Sequence, residues 1–342
     1  GFYTGKTAEL IASDMAANDG LITTEDLASY RVLERPPVSG TFRDFEIVSA
    51  APPSSGGIHI LQMLNILEPY PLESYGHNSA AYLHRVIESM KLAYADRSRY
   101  LGDPDQTVIP IEALISKDYA AARRELIAAN QAKTPDEIGP GNPVPNESPD
   151  TTHYSVADAD GNVVANTYTL NFSFGSHIVV PGTGMLLNNE MDDFSAKPFT
   201  PNRYGLVHGE ANSILPKKRM LSSMTPSFIE SDRGIAILGT PGGSKIITMV
   251  LLSILNWMNG GTADDMTSVK RFHHQYLPDV IQHEKDAFSS SDINKLRSIG
   301  HTLKEVGDYG NMQVITIDKD SGKVETSSDP RALIEDSGID YY

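Results

Sequence analysis

Two adjacent threonines, Thr151 and Thr152, stand where a proline-rich stretch meets a β-rich one. A threonine hydroxyl is a weak nucleophile near neutral pH and needs a base within hydrogen-bond reach. A threonine at a chain terminus carries its own base, because its free α-amino group has a pKa of roughly 7.7 to 8.0 and lies a few bonds from the hydroxyl. Cleavage just before Thr151 would therefore create a nucleophile that needs no histidine. A β-branched pair that simply begins a strand gives the same pattern.

The segment before Thr151 has the composition of an exposed connection. From Gln131 to Asp150 the chain has five prolines and two glycines in twenty residues, with almost no apolar residue. This composition predicts a linker or a long surface loop, where a cut can be made without breaking a core.

The residues after Thr151 predict a β-hairpin. Two β-rich runs flank Asp160 and Gly161, the dipeptide preferred in two-residue type I′ turns, where both central residues need a positive φ. Counting back from that turn, Thr169 faces Thr151 or its neighbour, depending on a register slip of one residue. Either register brings Thr151, Thr169 and Asn171 close together.

A glycine-rich motif, LGTPGGSKI, precedes a predicted helix for which Ser244 is the expected N-cap. Unpaired backbone N–H groups at a helix start can bind developing negative charge, so the motif is a candidate oxyanion hole. A phosphate-binding P-loop wants Gly immediately before Lys, but Ser244 stands there. A plain glycine-rich turn is the alternative.

Two polar clusters could together bind an α-amino acid. Ser222 and Ser223 follow a basic run and suit a carboxylate. An acidic cluster could hold an ammonium group by charge-assisted hydrogen bonds. Its members are Asn188, Asn189, Glu190, Asp192 and Asp193. Each cluster also fits an ordinary solvent-exposed polar surface.

The elements that must position these motifs alternate between helices and strands. Apolar residues at helical spacing predict helices, and β-rich runs between turn residues predict strands. The first prediction is a helix with Ala8, Ile11 and Met15 on one face that stops at Gly20, followed by a second helix capped by Thr24. Two strands with a turn in the region of Pro36, Pro37 and Gly40 come next, and then helices in 52–67 and 78–101. From Ser227 to Met258 we expect a strand, a turn, a strand, a glycine loop and a helix.

Composition excludes several classes of protein. The 342 residues include 28 Lys and Arg against 44 Asp and Glu, a net charge of −16, which argues against a nucleic-acid partner. The longest apolar stretch, Ile246 to Met258, is too short to span a bilayer and suits a core helix. With no cysteine there is no disulfide, thiolate nucleophile or cysteine-based zinc site. The start shows no signal-peptide pattern, and we expect an internal cut or a processed end there.

The motifs, in their order along the chain, resemble those of the γ-glutamyltranspeptidases in the N-terminal-nucleophile hydrolase superfamily, and the resemblance extends from Gly1 to near Tyr342. The matching segments are DTTHYSV, TYTLN, GMLLNNEMDDFS, RMLSSMTPS, GTPGGSKI and RFHHQYLPD. This resemblance implies an α+β fold, a four-layer α-β-β-α sandwich. It also implies a precursor that cuts itself between Asp150 and Thr151, with no cofactor and no metal.

The resemblance assigns a role to each candidate residue. Thr151 is the nucleophile and Thr169 orients it, while the N–H groups of Gly242 and Gly243 hold the oxyanion. The residues that bind substrate are Asn171, Glu190 and Asp193 for the α-ammonium, Ser222 and Ser223 for the α-carboxylate, and Tyr204 as the gating aromatic of a lid in KPFTPNRYGLVHG. The γ-glutamyl group of a glutathione-like donor then passes to water or to an amino acid or peptide amine. A long Gly/Pro loop is the alternative to the lid.

The resemblance also divides the chain. Residues 1–150 match the C-terminal part of the family's large subunit and 151–342 the whole small subunit, both within one α-β-β-α unit. The family's precursor has a longer stretch before Gly1, with an arginine that pairs with the substrate carboxylate, and no residue here matches it. We therefore expect the rest of the large subunit as a partner, and a periplasmic or secreted location, as is common in the family.

Other hypotheses stay open at this stage. A cephalosporin-type acylase of the same superfamily would share the nucleophile but need an apolar acyl pocket in place of the acidic cluster. An uncleaved or truncated, inactive homologue is a second alternative. A metal-binding protein that uses His273 and His274 is a third, although adjacent histidines seldom ligate one ion because they point in different directions.

Overall fold

The structure of the chain is a computed structural model. It describes residues 1–143, 153–202 and 205–331, so the predictions for Asp150, Thr151, Thr152 and Tyr204 lie outside the described residues. The chain divides into two compact units. Unit 1 comprises Gly1–Pro36 and Thr169–Met191, and unit 2 comprises Pro37–Tyr168 and Asp192–Tyr342. The predicted division into a large-subunit region, 1–150, and a small-subunit region, 151–342, concerns chain cleavage and not compact units, and it stays a prediction.

Helices and strands alternate along the described chain. The helices are α1 (Lys6–Ala17), α2 (Thr24–Ser29), α3 (Gly56–Leu67), α4 (Leu72–Tyr75), α5 (Ala80–Tyr100), α6 (Ile111–Leu114), α7 (Lys117–Arg124), α8 (Pro135–Ile138), α9 (Ile246–Met258), α10 (Ala263–Ser268) and α11 (Ser290–Ser298). Short 3-10 segments cover Glu190–Asp193, Glu210–Asn212 and Gly243–Lys245. The strands are β1 (Val38–Phe42), β2 (Phe45–Ser49), β3 (Tyr154–Ala157), β4 (Val163–Asn166), β5 (Val179–Val180), β6 (Met185–Leu186), β7 (Ser227–Ser231), β8 (Gly234–Gly239), β9 (Phe272–His273), β10 (Ile281–His283), β11 (Leu303–Glu305), β12 (Gln313–Asp318) and β13 (Val324–Ser328).

Unit 1 contains α1, α2 and the β5–β6 hairpin. Ala8 and Ile11 on the predicted apolar face of α1 are buried, which confirms that helix. Helix α2 begins one residue earlier than a Thr24 cap would allow. Its N-cap is Thr23, whose hydroxyl accepts from the Asp26 N–H while the Asp26 carboxylate accepts from the Thr23 N–H. The prediction of Thr24 was wrong by one residue because both threonines suit the position and only the reciprocal bond with Asp26 selects between them.

A six-stranded antiparallel sheet organises unit 2, with the strand order β1-β2-β7-β8-β12-β13. Two strands were predicted on either side of Pro36, Pro37 and Gly40, but both observed strands follow Pro37 and their turn is at Arg43 and Asp44. Gly40, expected near the turn, lies within β1 and pairs with Ile47. The prediction failed because Gly40 is needed for close packing and not for a turn. A Cβ at this position would come 2.9 Å from a side-chain carbon of Leu61 in α3.

Helices α3, α5 and α9 form the apolar interior of unit 2. Every residue of α3 is buried, and α9 spans Ile246–Met258 as predicted. Helices α3, α9 and α10 pack on the six-stranded sheet, and the β3–β4 hairpin packs on β8 and β12. Within the described ranges, no helix has the length and apolar character that a bilayer crossing requires.

The predicted β3–β4 hairpin is present, but its turn differs from the prediction. Ala157 pairs with Val163, so the two-residue turn at Asp160 and Gly161 is wrong. The Asp158 carboxylate accepts from the Asp160 N–H at 3.0 Å and widens the turn, so that only Gly161 takes a positive φ, of 85°. The dipeptide alone does not show this competition between side-chain and backbone acceptors.

Part of the predicted loop 131–150 has regular structure. Helix α8 occupies Pro135–Ile138, where Thr134 and Glu137 form a capping box. The expected loop character of the rest of that segment, beyond residue 143, lies outside the described residues.

Candidate active site

Three of the predicted site residues, Thr169, Asn171 and Glu190, lie together in unit 1. The Thr169 hydroxyl and the Asn171 N–H both hydrogen-bond to the Glu190 carboxylate. The Asn171 N–H also lies 2.7 Å from Thr169 Oγ1. Asn171 has a φ of 73°, a conformation that asparagine tolerates better than most residues. The backbone turn and the acidic side chain therefore form one polar cluster.

The carboxylate of Glu190 is held in a poorly solvated position. Its side chain is buried, and within the described part of the chain Oε1 has no hydrogen-bond partner. Burial raises the pKa of Glu190 to about 7, although the hydrogen bonds from Thr169 and Asn171 oppose that rise. A buried carboxylate oxygen without a partner is costly, and an ammonium group placed beside it would remove that cost.

Asn189, which the sequence analysis placed in the acidic cluster without a specific role, fixes the backbone around Asn171. Its carbonyl accepts from Asn171 Nδ2 at 3.1 Å, and its Oδ1 accepts from the Phe172 N–H at 3.1 Å. The Asn188 side chain accepts from the Glu190 N–H at 3.0 Å. The two asparagines therefore position the cluster through its main chain.

The other predicted substrate residues, Asp193, Ser222 and Ser223, lie in unit 2. Asn212 joins them, although the sequence analysis did not predict it. Its Nδ2 donates to the Asp193 carbonyl at 2.7 Å, and its Oδ1 accepts from the Leu221 N–H at 2.9 Å, one residue before Ser222. Asn212 is fully buried, so both bonds are shielded from water.

A buried arginine, Arg97 of α5, contacts the two serines. Its Nη2 donates to Ser223 Oγ at 3.2 Å and to the Ser222 carbonyl at 3.3 Å, while its Nε donates to Ser55 Oγ at 3.0 Å. The hydroxyl of Ser55 in turn donates to the Ser222 carbonyl at 2.6 Å. This arrangement places a fixed positive charge directly behind the serine pair, where an anionic group would be stabilised.

The charge of Arg97 also acts on two buried histidines. Burial, and secondly the positive charge of Arg97, hold the pKa of His59 and of His208 well below the usual value. Both imidazoles are therefore neutral near pH 7, and the positive charge that Arg97 brings to the serine pair is not shared with them. Sequence reasoning missed it because Arg97 sits in a helix whose apolar pattern was the only signal.

The glycine motif forms the predicted break between β8 and α9. Gly242 and Gly243 have φ values of 140° and 57°, and Gly242 is exposed. No residue of the described ranges accepts a hydrogen bond from either N–H group. Residues 243–245 form a 3-10 turn and Lys245 occupies the N-cap of α9, so the predicted cap Ser244 is wrong. The Ser244 carbonyl instead accepts from the Tyr94 hydroxyl of α5, which fixes the loop.

The first described residue after Thr151 and Thr152 is anchored firmly. His153 is buried, with its ring nitrogens 3.0 Å from Thr167 Oγ1 and 2.7 Å from Ser155 Oγ. Burial lowers the pKa of His153 to about 3, so the ring is neutral. It lies against Gly239 at the end of β8, three residues before Gly242.

The adjacent histidines 273 and 274 have different partners. His273 hydrogen-bonds to Thr248 Oγ1 at 2.9 Å and Gln275 Oε1 at 2.8 Å. His274 hydrogen-bonds to Asp279 at 3.1 Å. Their ring nitrogens are therefore committed to separate groups.

Comparison with known proteins shows the class first. A cephalosporin acylase from Bacillus halodurans is similar over 96% of this chain and 58% of its own, with a TM-score of 0.83 and 28% identity. The chain has the mixed α and β structure of the N-terminal-nucleophile hydrolase superfamily. A T380A mutant of Helicobacter pylori γ-glutamyltranspeptidase is 43% identical, covering 53% of this chain and 100% of that solved chain, with a TM-score of 0.51.

The family follows from the sequence. The family model described as gamma-glutamyltranspeptidase matches residues 1–338, and a glutathione hydrolase proenzyme of Escherichia coli is 49% identical over 334 residues, 97% of this chain. The chain belongs to the γ-glutamyltranspeptidase family. It spans 57% of the length of that E. coli relative.

Proposed function

We propose that this chain carries the nucleophile of an enzyme that transfers γ-glutamyl groups from glutathione-like donors to water or to amino acid and peptide amines. Family membership supports the proposal, and so does the E. coli relative named as a glutathione hydrolase proenzyme. The observation that carries it is the buried Glu190 carboxylate beside Thr169 and Asn171, one oxygen of which has no hydrogen-bond partner among the described residues. An α-ammonium group would complete that cluster.

In the proposed mechanism the precursor cuts itself between Asp150 and Thr151. The freed Thr151 amine takes the proton of the Thr151 hydroxyl, and the hydroxyl oxygen attacks the γ-glutamyl amide carbon. The C–N bond then breaks, the Thr151 ammonium gives the proton to the leaving amine, and a γ-glutamyl ester remains on Thr151. The N–H groups of Gly242 and Gly243 stabilise the oxyanion. Thr169 orients the nucleophile. Water or an acceptor amine then attacks the ester and releases Thr151.

Substrate recognition divides between the two charged ends of the γ-glutamyl group. Asn171, Glu190 and Asp193 bind the α-ammonium, and Ser222 and Ser223 bind the α-carboxylate. Arg97 strengthens the carboxylate end through its contacts with both serines. Tyr204 gates the lid in residues 197–209.

The chain works with the remaining part of the large subunit, which we propose supplies a further carboxylate-binding arginine and completes the four-layer α-β-β-α sandwich. We propose a periplasmic or secreted location, because such a location is common in the family.

The test is the variant Thr151→Ala, with Thr4→Ala as the matched control at an exposed position outside the proposed site and lid. Mass spectrometry of the control should show a fragment that begins at Thr151, together with glutathione turnover. Thr151→Ala should remain one chain without activity. A Thr151→Ala protein that is still cut and active would remove Thr151 from the mechanism.

Two other outcomes would replace the proposal. A control that stays a single intact chain and is inactive would identify an uncleaved or truncated, inactive homologue. The similarity to a cephalosporin acylase supports the other candidate, an acylase without an ammonium requirement. Equal turnover of a γ-glutamyl amide and its des-amino analogue would favour that acylase.

A further inference from the structure

Three buried side chains of unit 2 that the proposed mechanism does not use direct ligand atoms toward one another. They are His84, Glu88 and His301, each at most 6% exposed. One ring nitrogen of each histidine and one carboxylate oxygen lie within 4.8 Å of one another. His84 and Glu88 are four residues apart on one face of α5, and His301 lies between α11 and β11.

The hydrogen bonds of His84 determine which of its nitrogens can be a ligand. Nε2 lies 2.8 Å from the Ala128 carbonyl oxygen, which can only accept, so Nε2 carries the proton. Nδ1 therefore presents its lone pair, and it faces Nε2 of His301 at 2.8 Å. Metal-binding histidines are commonly oriented in this way, by a backbone carbonyl that accepts from the other ring nitrogen.

A buried lysine already contacts Glu88, but it also contacts a second carboxylate. Lys91 Nζ lies 3.1 Å from Glu88 Oε1 and 3.3 Å from Asp279 Oδ1, so its charge is shared between two carboxylates. Arg85, the other cation near His84, stacks its guanidinium over the Tyr75 ring at 5.5 Å.

We propose that His84, Glu88 and His301 form a binding site for a divalent first-row transition-metal ion, with Zn²⁺ the best fit. Two imidazoles and one carboxylate are a common zinc ligand set, whereas Mg²⁺ and Ca²⁺ prefer oxygen ligands. An ion about 2.0–2.2 Å from each ligand atom needs those atoms roughly 3.3–3.6 Å apart. The two rings, whose facing nitrogens lie 2.8 Å apart, must therefore separate slightly, and the Glu88 oxygen must reach the same spacing from both nitrogens.

A bound ion would join α5 to the connection between α11 and β11, and the chain segment 128–133 already contacts both. The Lys133 N–H lies 3.3 Å from Glu88 Oε2, and the Ala132 N–H donates to the Ile299 carbonyl at 2.7 Å. These bonds connect the segment to both sides of the site. The ion would act on stability here, and the proposal does not depend on the proposed function.

The experiment measures Zn²⁺ binding to the purified protein after chelator treatment and dialysis. Wild-type protein and the variants Glu88→Gln, His301→Gln and His77→Gln are titrated with ZnCl₂ by calorimetry, and bound zinc is counted by elemental analysis. His77 is an exposed histidine outside the cluster and serves as the control. CoCl₂ provides an independent readout through the visible absorption of Co²⁺ bound to nitrogen ligands.

The expected result is one Zn²⁺ per chain in wild type and His77→Gln, with at least tenfold weaker binding and no cobalt absorption in Glu88→Gln and His301→Gln. Zinc should raise the Tm of the wild type and of His77→Gln, and should leave the Tm of Glu88→Gln and His301→Gln unchanged. If His301→Gln fails to fold, Glu88→Gln alone decides the outcome. No zinc in the wild type would show an ordinary hydrogen bond between the two histidines, and equal zinc in all four proteins would show adventitious binding. Either result overturns the proposal.

Discussion

The imidazole of His153 lies directly against the Cα of Gly239. A Cβ at position 239 would come 2.2 Å from His153 Nδ1 and 2.3 Å from its Cγ, closer than real side-chain contacts allow. This contact joins the first described residue after the predicted cleavage site to the strand that leads into the glycine motif. It explains in physical terms why a strand should end in glycine at this point.

Substitution of Gly239 by alanine should therefore destabilise the protein. The expected loss in free energy of unfolding is about 1–3 kcal/mol, because the ring or the strand must move. Denaturant unfolding measures it. Gly307→Ala is the matched control, since a Cβ there meets nothing within 4 Å, and it should change stability by less than about 0.5 kcal/mol. Equal effects of the two variants would contradict the close contact.

Removal of the Asn212 side chain should weaken both structure and substrate binding. Asn212→Ala removes the hydrogen bonds from Asn212 Nδ2 to the Asp193 carbonyl and from the Leu221 N–H to Asn212 Oδ1, at a cost of roughly 1–3 kcal/mol. Since Asp193 and Ser222 lose a common support, KM for glutathione should also rise. Unfolding and steady-state kinetics measure the two effects. Asn18→Ala, at an exposed position, is the control. An unchanged KM would show that Asn212 only stabilises the fold.

Asp193→Ala should harm substrates that carry a free α-ammonium group. Loss of a charge-assisted contact costs about 1.5–3 kcal/mol, which corresponds to roughly a 10- to 150-fold fall in kcat/KM. The measurement compares a γ-glutamyl amide with its des-amino analogue. Asp232→Ala, whose side chain is exposed and pairs with Lys319, should affect neither substrate. A similar loss on both substrates would argue against an ammonium contact at Asp193.

Glu190 should make stability depend on pH. Its pKa is raised by burial from 4.5 to about 7 in the folded chain. Between these values the folded state binds a proton that the unfolded state releases, so the free energy of unfolding falls as pH rises through that window. The contribution is on the order of 1–3 kcal/mol. Denaturant unfolding below pH ~5 and above pH ~7 measures it.

The variant Glu190→Gln isolates this contribution from the other titrating groups. Glutamine has nearly the shape of glutamate but cannot ionise. The free energy of unfolding of the variant should therefore fall less than that of wild type as pH rises through the same window. Parallel pH profiles for the two proteins would show that Glu190 titrates near its ordinary pKa.

The sequence determined the elements whose signals are local. Helices α1 and α9 were predicted because the spacing of apolar residues is a property of one segment, and the break at Gly242 and Gly243 because glycine relieves backbone strain within a few residues. The family and the candidate residues also followed from the order of short motifs along one chain. Even so, the prediction of a two-residue turn at Asp160 was wrong, because the Asp158 side chain accepts the Asp160 N–H in place of a backbone acceptor.

Only the tertiary structure decided which distant residues support one another. Arg97 and Asn212 reach the serine pair and Asp193 from other parts of the chain, and His84 meets His301 across 217 residues. Such contacts depend on packing between elements, for which no periodicity or spacing in the sequence gives a signal. Burial is likewise a property of the folded chain. In the sequence Glu190 has the pattern of a solvated acidic residue. In the folded chain its carboxylate is buried, and burial raises its pKa to about 7.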